Sequence, residues 1–170
     1  MKGLKVVFLI CAVIFCGLAA SSCSKASKDD VAQIQALEKS LADAFSARDL
    51  NGFMAAYMPD DSLIVFDATP PRQYIGASAY RKDWEDFLAT FPGPIHGEMS
   101  DYRIETEGNL GYGHGFIRMV VTDKDGKPLD STFRVTKVYR KINGKWLIIH
   151  EHDSWPADMA TGKADFASKP

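Results

Sequence analysis

Two alternating stretches of apolar and polar residues meet at Asn143-Gly144, and they constrain the fold of this chain more than any other feature. Residues 132–142 and 145–155 alternate with a period of two, as half-buried strands do. Asn-Gly is the dipeptide favoured in tight turns that join antiparallel strands. The second stretch ends in four titratable residues, so the hairpin predicts both a sheet and a place for a functional site. These residues are His150, Glu151, His152 and Asp153.

The rest of the chain predicts helices first and strands last. Apolar residues at three- and four-residue spacing predict a helix over 31–45. A shorter helix over 49–58, a brief strand over 62–67 and a third helix over 76–91 follow. Four strands joined by glycine-containing turns then run from 98 to 155. This order predicts an α+β fold, in which apolar helix faces cover one face of an antiparallel sheet.

The amino-terminal segment predicts export. An apolar run over 6–20 follows Lys2 and Lys5, and it is shorter than the ~20 residues that a membrane-spanning helix needs. It is therefore typical of a signal peptide. The small residues before Cys23 resemble a bacterial lipobox, which implies a lipid on Cys23. Cleavage without a lipid and an uncleaved anchor are the alternatives. The resemblance implies a periplasmic domain anchored to a membrane, and Ser24 favours the outer membrane.

The sequence predicts that the chain is divided into four segments. Residues 1–22 form the predicted signal peptide, and 23–30 form a short polar tether. A single domain is predicted over 31–158, which is long enough to bury its own core. Residues 159–170 are predicted to be a loose tail.

Cysteine content and charge exclude several classes of protein. The three cysteines lie at positions 11, 16 and 23, so a mature lipidated domain would have no disulfide, zinc-thiolate site or cysteine nucleophile. Loss of Lys2 and Lys5 from the 20 basic side chains leaves 18 against 22 acidic ones, a net charge of −4. Because no basic stripe is present, no nucleic-acid partner is expected.

Several short motifs accompany this order of elements: Arg48-Asp49-Leu50, Ala56-Tyr57, Asp60-Asp61, Gly76, Asn143-Gly144-Lys145-Trp146, and the H-x-H-x-S pattern from His150 to Ser154. Together they resemble the SnoaL-like branch of the nuclear transport factor two superfamily. The resemblance covers 29–156 and implies a cone, in which a curved sheet wraps on helices and leaves a cavity at its open end. It also implies a homo-oligomer, with a dimer as the expected form. Residues 115–118 are similar to the association domain of calcium/calmodulin-dependent protein kinase II.

The resemblance implies one candidate catalytic residue, Asp67. It falls where related ketosteroid isomerases have an aspartate that removes a proton next to a carbonyl. Those enzymes also have a tyrosine that stabilises the enolate oxygen, and Leu41 stands at that position here. Because one such donor is typically worth ~3 kcal/mol, steroid-type isomerisation is not expected. The alternative role for Asp67 is to cap the turn after its strand.

A candidate ligand site follows from the kinase association domain. Arg118, Lys137 and Asp153 fall where that domain has three pocket arginines, and Tyr80 is expected beside them. Two cations suit a small anion, since arginine and lysine both bind carboxylates. The alternative is a buried structural ion pair, in which Asp153 neutralises Arg118 or Lys137.

The register of the hairpin decides which residues share a face. A two-residue loop pairs Lys137 with His150. A three-residue loop with a bulge gives a more apolar inner face that includes Asp153, and we expect this form. It places the histidines on the outer face with Trp146 and Ile148.

His152 is a second candidate for general acid–base catalysis. His150 and His152 would point the same way on a strand, but no third ligand can be placed beside them. No metal site and no cofactor are therefore predicted.

Two function classes remain. The first is an exported, lipid-anchored module that binds a small molecule or assembles through its sheet, and it predicts saturated ion pairs and an apolar outer sheet face. The alternative is a small cofactor-independent enzyme (an isomerase, hydratase or cyclase) that uses Asp67, Asp153 or His152. It predicts a deep pocket with a carboxylate whose pKa is raised.

Overall fold

Helices followed by a long antiparallel meander make up residues 28–166, the part of the chain that a computed structural model describes. The elements are α1 (Lys28–Ser46), α2 (Leu50–Met54), β1 (Ile64–Phe66), β2 (Tyr74–Ile75), α3 (Ala77–Thr90), β3 (Ile95–Glu107), β4 (Leu110–Thr122), β5 (Pro128–Ile142) and β6 (Lys145–Ser154). The predicted α+β fold is confirmed. The predicted signal peptide, Cys23 and most of the tether lie outside the described residues. Between 28 and 166, no helix has the length and apolar character needed to cross a membrane.

The strands form one curved, unclosed sheet in the order β2-β1-β6-β5-β4-β3. The meander from β3 to β6 is antiparallel, as the sequence predicts. The short strand β1 lies parallel to β6, with Ile64 opposite His150 and Phe66 opposite His152. This pairing places Asp67, the next residue after β1, close to the end of β6.

The apolar face of α1 packs on the inner face of the sheet, which is the face turned toward the helices. The buried positions of α1 are Ile34, Glu38, Leu41 and Ala44, and their spacing of three and four residues puts them on one side of the helix. One of these four is acidic. A glutamate at such a position requires a buried partner, since an unpaired charge is costly there.

Arg48 fixes the junction between α1 and α2 against the end of α3. Its backbone has a φ of 57°. Its guanidinium donates hydrogen bonds to the carbonyl oxygens of Leu88 (2.7 Å), Phe91 (2.7 Å) and Gly93 (3.0 Å). These bonds satisfy carbonyl groups that the last turn of a helix leaves without partners. The contact holds α3 beside α1 and so sets the width of the space between the helices and the sheet.

The β5–β6 hairpin has a two-residue turn, so the prediction of a three-residue loop is wrong. Ile142 pairs with Lys145, and Asn143 and Gly144 both have positive φ, at 50° and 81°. Asn-Gly is favoured there because a type I′ turn needs positive φ at both positions. The bulge that we predicted beside the turn lies farther along the strand.

That bulge decides which residues of β6 face inward. Tyr139 pairs with Ile148, but Val138 pairs with His150, so Ile149 is an extra residue. An extra residue reverses the alternation of faces beyond it. The inner residues are therefore Trp146 and Ile148 before the bulge, and Glu151 and Asp153 after it. The prediction that Trp146 and Ile148 share the outer face with the histidines is wrong for this reason.

The predicted loose tail is folded over its described part. Residues 156–166, the C-terminal loop, turn back on themselves through bonds from Asp158 N to Lys163 O (2.9 Å) and from Asp165 N to Pro156 O (2.8 Å). The carbonyl of Phe166 accepts a hydrogen bond from Thr132 N at 3.1 Å, which ties the loop to β5. The folded unit thus extends beyond the predicted boundary at residue 158.

Candidate functional site

A cavity of about 510 Å³ lies between the helices and the inner face of the sheet. This volume falls within the ~300–1,000 Å³ typical of small-molecule sites. Most of the wall is apolar. The apolar side chains of the wall are Leu41, Ala42, Phe45, Phe53, Ala68, Trp84, Phe87, Phe91, Met99, Ile117, Met119, Leu129, Phe133, Trp155 and Phe166. The last two belong to the end of the chain, since Trp155 follows β6 and Phe166 ends the C-terminal loop.

A buried polar network closes one side of the cavity. Lys137 of β5 donates to Glu38 Oε2 of α1 at 2.8 Å, and its Nζ lies 3.9 Å from Glu151 Oε2 of β6. Tyr139 donates to the other oxygen of Glu38 at 2.7 Å, and Tyr57 donates to Glu151 at 2.7 Å. Burial opposes the charge of Lys137, but the carboxylates of Glu151 and Glu38 outweigh it and raise the pKa of Lys137. The ammonium is therefore charged and is paired with the carboxylates of Glu38 and Glu151.

Two glycines of β4 make room for Tyr102, whose hydroxyl group joins this network. A Cβ at Gly113 would lie 2.5 Å from the hydroxyl oxygen of Tyr102, and one at Gly115 would lie 2.9 Å from a carbon of its ring. Tyr102 thus lies against bare backbone and hydrogen-bonds the hydroxyl of Tyr139. The repeated glycines of β4 are explained by this close approach.

Asp153 is the carboxyl group of the cavity that has the least compensation. Only 8% of the residue is exposed, its hydrogen-bond neighbour is the carboxyl group of Glu151, and no donor within residues 28–166 reaches its Oδ1. Burial raises the pKa of Asp153 well above its ordinary value of 3.8, and the charges of Glu151 and Asp67 raise it further. Burial also raises the pKa of Glu151, although Lys137 and a bond from Tyr57 oppose that shift. Within the pair, Glu151 holds the negative charge and Asp153 keeps the proton.

Asp67 lies in the cavity wall at the end of β1. Its Oδ1 accepts hydrogen bonds from the backbone N (2.9 Å) and the hydroxyl (3.1 Å) of Thr69, so it also caps the following turn. Burial raises the pKa of Asp67 in spite of these bonds. Nearby, Asp83 accepts a hydrogen bond from the hydroxyl of Tyr74 at 2.5 Å. Asp67 therefore combines the capping role and the candidate catalytic position that the sequence left as alternatives.

The family follows from the sequence and from the fold together. The pattern of the SnoaL-like domain matches residues 34–158. The chain belongs to the SnoaL-like family. It is similar to an NTF2-like protein of unknown function from Pseudomonas putida, with 33% identity, a TM-score of 0.77, and coverage of 85% of this chain and 99% of the other. None of the curated proteins compared with this chain matches it.

Two more distant structures show the same fold. An NTF2-like superfamily protein from Salmonella enterica has 17% identity and a TM-score of 0.71, with coverage of 82% of this chain and all of the other. A candidate calcium/calmodulin-dependent protein kinase II association domain from Xanthomonas campestris has 24% identity and a TM-score of 0.59, with coverage of 74% and 84%. The cone expected from the resemblance is confirmed.

The four residues expected to form an anion site in this SnoaL-like domain do not come together. Lys137 and Asp153 lie in the cavity wall. Arg118 lies on the opposite face of the sheet. Gly113 is the residue of β4 that pairs with Lys137, and Arg118 is five positions further along, an odd offset that reverses the face. The Arg118 side chain is 54% exposed and forms a two-bond pair with Asp130 (3.0 and 2.6 Å). The placement of Arg118 in the ligand site is therefore wrong.

Tyr80 and His152 also lie outside the cavity wall. Tyr80 is fully buried one layer behind it, with its ring 5.3 Å from that of Tyr57 and 6.1 Å from that of Trp84. His152 is exposed on the outer face, 5.8 Å from the ring of Phe66. It lies there because the bulge turns Glu151 and Asp153 inward instead. The described residues contain no group of three or more histidine, cysteine or acidic side chains that could hold a metal ion.

Three residues of this site were missed by the sequence interpretation: Glu38, Tyr57 and Glu151. Glu38 had a usable signal, since it stands four residues after Ile34 and three before Leu41 on an apolar helix face. An acidic residue at such a position indicates a buried partner. Glu151 stands between two histidines, and only the bulge at Ile149 turns it toward the helices.

Proposed function

We propose that this SnoaL-like domain binds a small, largely apolar molecule in the cavity, with the polar end of the molecule at Asp153. The observation that carries the proposal is the buried Asp153 carboxyl group, which lies in the wall of a 510 Å³ cavity lined mostly by apolar side chains. Its hydrogen-bond neighbour is another carboxyl group, Glu151, so the two are poorly compensated and a ligand that supplies a hydrogen-bond donor gains affinity. Lys137 is not that contact, because Glu38 and Glu151 already satisfy it.

A neutral fluorescent hydrophobe tests the binding directly. N-phenyl-1-naphthylamine brightens in apolar surroundings, and we expect saturable binding to the domain. Met119→Trp fills the cavity from β4 and should weaken this binding at least about tenfold, because interiors tolerate little extra volume. Arg118→Trp introduces the same side chain one residue away, on the outer face, and this variant should bind the probe as the wild type does. Equal binding by both variants would place the probe outside the cavity.

The second candidate is a small cofactor-independent enzyme that transfers protons. Its support is the presence of two cavity carboxyl groups, Asp67 and Asp153, whose pKa values burial raises. A carboxyl group whose pKa is raised toward the working pH is better suited to general acid–base catalysis. Incubation with a panel of lipophilic ketones in D₂O, followed by mass spectrometry, would detect exchange next to the carbonyl without knowledge of the product. We expect Asp67→Asn to abolish such exchange and His152→Gln to preserve it.

We also propose that the domain is exported and anchored by a lipid on Cys23. The support is the sequence alone: an apolar run over 6–20 and small residues before the cysteine. Mass spectrometry of membrane fractions should find diacylglycerol on Cys23. Membrane retention of a processed Cys23→Ser variant would contradict the proposal.

We also propose that two copies of the domain pair through the outer face of the sheet. Five large apolar side chains are exposed on that face: Ile64, Phe66, Ile75, Leu110 and Tyr112. Light scattering should give twice the monomer mass, and Phe66→Glu should lower it. A wild type that remains a monomer at millimolar concentration would contradict this form of assembly.

A further inference from the structure

We infer that the ligand of this cavity is a lipophilic amine, whose ammonium group binds at the Asp153 carboxylate while its apolar body fills the space between the aromatic walls. The inference rests on the proposed binding function and adds the charge of the ligand to it. It is the reverse of the anion site that the sequence predicts.

The charge of the cavity wall supports a cation. Five acidic residues line the described wall without an exposed partner, and Lys137 is the only basic residue there. The five are Glu38, Asp67, Asp83, Glu151 and Asp153. Asp86 also borders the wall, but its exposed side chain pairs with Lys82. A further wall residue, Glu98, pairs across the strands with Arg118, so its side chain points to the outer face. Because Lys137 is held between Glu38 and Glu151, the described wall offers no free cation to an anionic ligand.

Asp153 provides a second, independent observation. It is more than nine-tenths buried, it lines the cavity, and its hydrogen-bond neighbour is a second wall carboxyl group, Glu151, while no donor within the described chain reaches its Oδ1. An ammonium is the partner that compensates a buried carboxylate most fully, since a charge-assisted bond is about twice as strong as a neutral one. On binding, the proton that Asp153 shares with Glu151 leaves to solvent, and the Asp153 carboxylate accepts a hydrogen bond from the ammonium in its place.

The aromatic walls suit the same kind of ligand. The rings of Phe53 and Trp84 lie 4.3 Å apart, and Phe45 meets Trp84 edge-on at 5.6 Å. On another side of the cavity, Trp155 lies 5.9 Å from Phe133 and 4.9 Å from Phe166. Aromatic faces attract organic cations and also bury apolar groups. A neutral ligand would use the aromatic surface but would bring no cation to the Asp153 carboxyl group.

Three probes with one body isolate the effect of charge. These are 4-phenylbutylamine, 4-phenylbutanol and 4-phenylbutyrate, each in competition with N-phenyl-1-naphthylamine on the wild-type domain. We expect the amine to bind at least tenfold more tightly than the alcohol, and the butyrate to bind most weakly. Asp153→Asn should remove the preference for the amine while affinity for the alcohol stays within about twofold. The matched control is His152→Gln on the outer face, which should keep the preference.

The release of a proton gives a second readout. The charged and titratable groups around Asp153 are Glu151 on its own strand, Lys137 on β5, Glu38 on α1, Tyr57 after α2, Tyr80 on α3 and Asp67 after β1. Calorimetry in two buffers of different ionisation enthalpy should count about one proton released per amine bound, and none per alcohol. If Asp153→Asn unfolds, the proton count of the wild type provides the test in its place.

The outcomes separate the two proposals. Binding of the fluorescent probe with no preference for the amine, or with a preference for the butyrate, overturns the inference and leaves the binding function standing. Retention of the preference in Asp153→Asn, with no proton released by the wild type, also overturns it. Failure of the fluorescent probe to bind at all overturns the binding function itself.

Discussion

Lys137 Nζ lies 2.8 Å from Glu38 Oε2, and neither side chain is more than 6% exposed. The pair joins α1 to the middle of the sheet, at the base of the cavity. Breaking a buried pair is more costly than its net contribution suggests, because the remaining charge has no partner. The contact therefore has structural consequences that are separate from ligand binding.

Lys137→Met should destabilise the domain by roughly 3–5 kcal/mol, since it leaves two buried carboxylates without their cation. Urea denaturation at pH 7 measures the change in the free energy of unfolding. Glu38→Gln combined with Lys137→Met should cost less than Lys137→Met alone, because Glu38 is then no longer an orphan charge. A loss below about 1 kcal/mol for the single variant would show that water reaches the pair.

The raised pKa of Asp153 predicts a pH dependence of stability. Above the ordinary pKa of 3.8, the unfolded state gives up this proton while the folded state retains it. The free energy of unfolding due to Asp153 is thus fully present below that pH and is lost as the pH rises toward the folded pKa. The stability of the wild type relative to Asp153→Asn should fall as the pH rises above about 4. Parallel curves for the two proteins would show that the group titrates normally.

The bulge at Ile149 predicts unequal effects of two single-residue deletions. Removal of Ile149 leaves Ile148, Glu151 and Asp153 on the inner face, because only the extra residue is lost. Removal of His152 turns Asp153 to the outer face. We expect the first deletion to keep binding of the fluorescent probe and the second to abolish it. Thermal unfolding checks that both remain folded, and equal probe binding by the two would contradict the register.

The C-terminal loop is predicted to contribute to affinity. Phe166 packs on Trp155 and lines the cavity, whereas Met159 in the same loop is 94% exposed. Phe166→Ala should weaken probe binding about fivefold, corresponding to roughly 1 kcal/mol of apolar contact. Met159→Ala is the matched control and should have no effect. Unchanged affinity in Phe166→Ala would exclude the loop from the site.

Much of the fold could be predicted because it depends on periodic patterns. The apolar spacing along α1 and the alternation along β4, β5 and β6 are both written in the sequence. The reversal of faces at Ile149 is not, because a bulge adds one residue without any change of composition. This single residue explains why Glu151 was missed and why His152 was misplaced.

The candidate site could be predicted only in part, because the face on which a side chain lies depends on how the strands pair. Asp67 and Asp153 could be placed from the resemblance, and both lie in the cavity wall. Arg118 could not, because its side depends on the pairing of β4 with β5 over their whole length. The sequence also does not show whether Lys137 is free to bind a ligand, because its partner Glu38 lies far away in the chain.

Carbon-13 NMR of the side-chain carboxyl carbon (Cγ) of Asp153, assigned by comparison with Asp153→Asn, tests most directly whether this cavity residue is a neutral acid. In the free domain the resonance should remain that of the protonated acid well above pH 3.8, and addition of 4-phenylbutylamine should convert it to that of the carboxylate. Titration of the free domain near the ordinary value, with no response to the amine, would contradict both the buried acid and the site built on it.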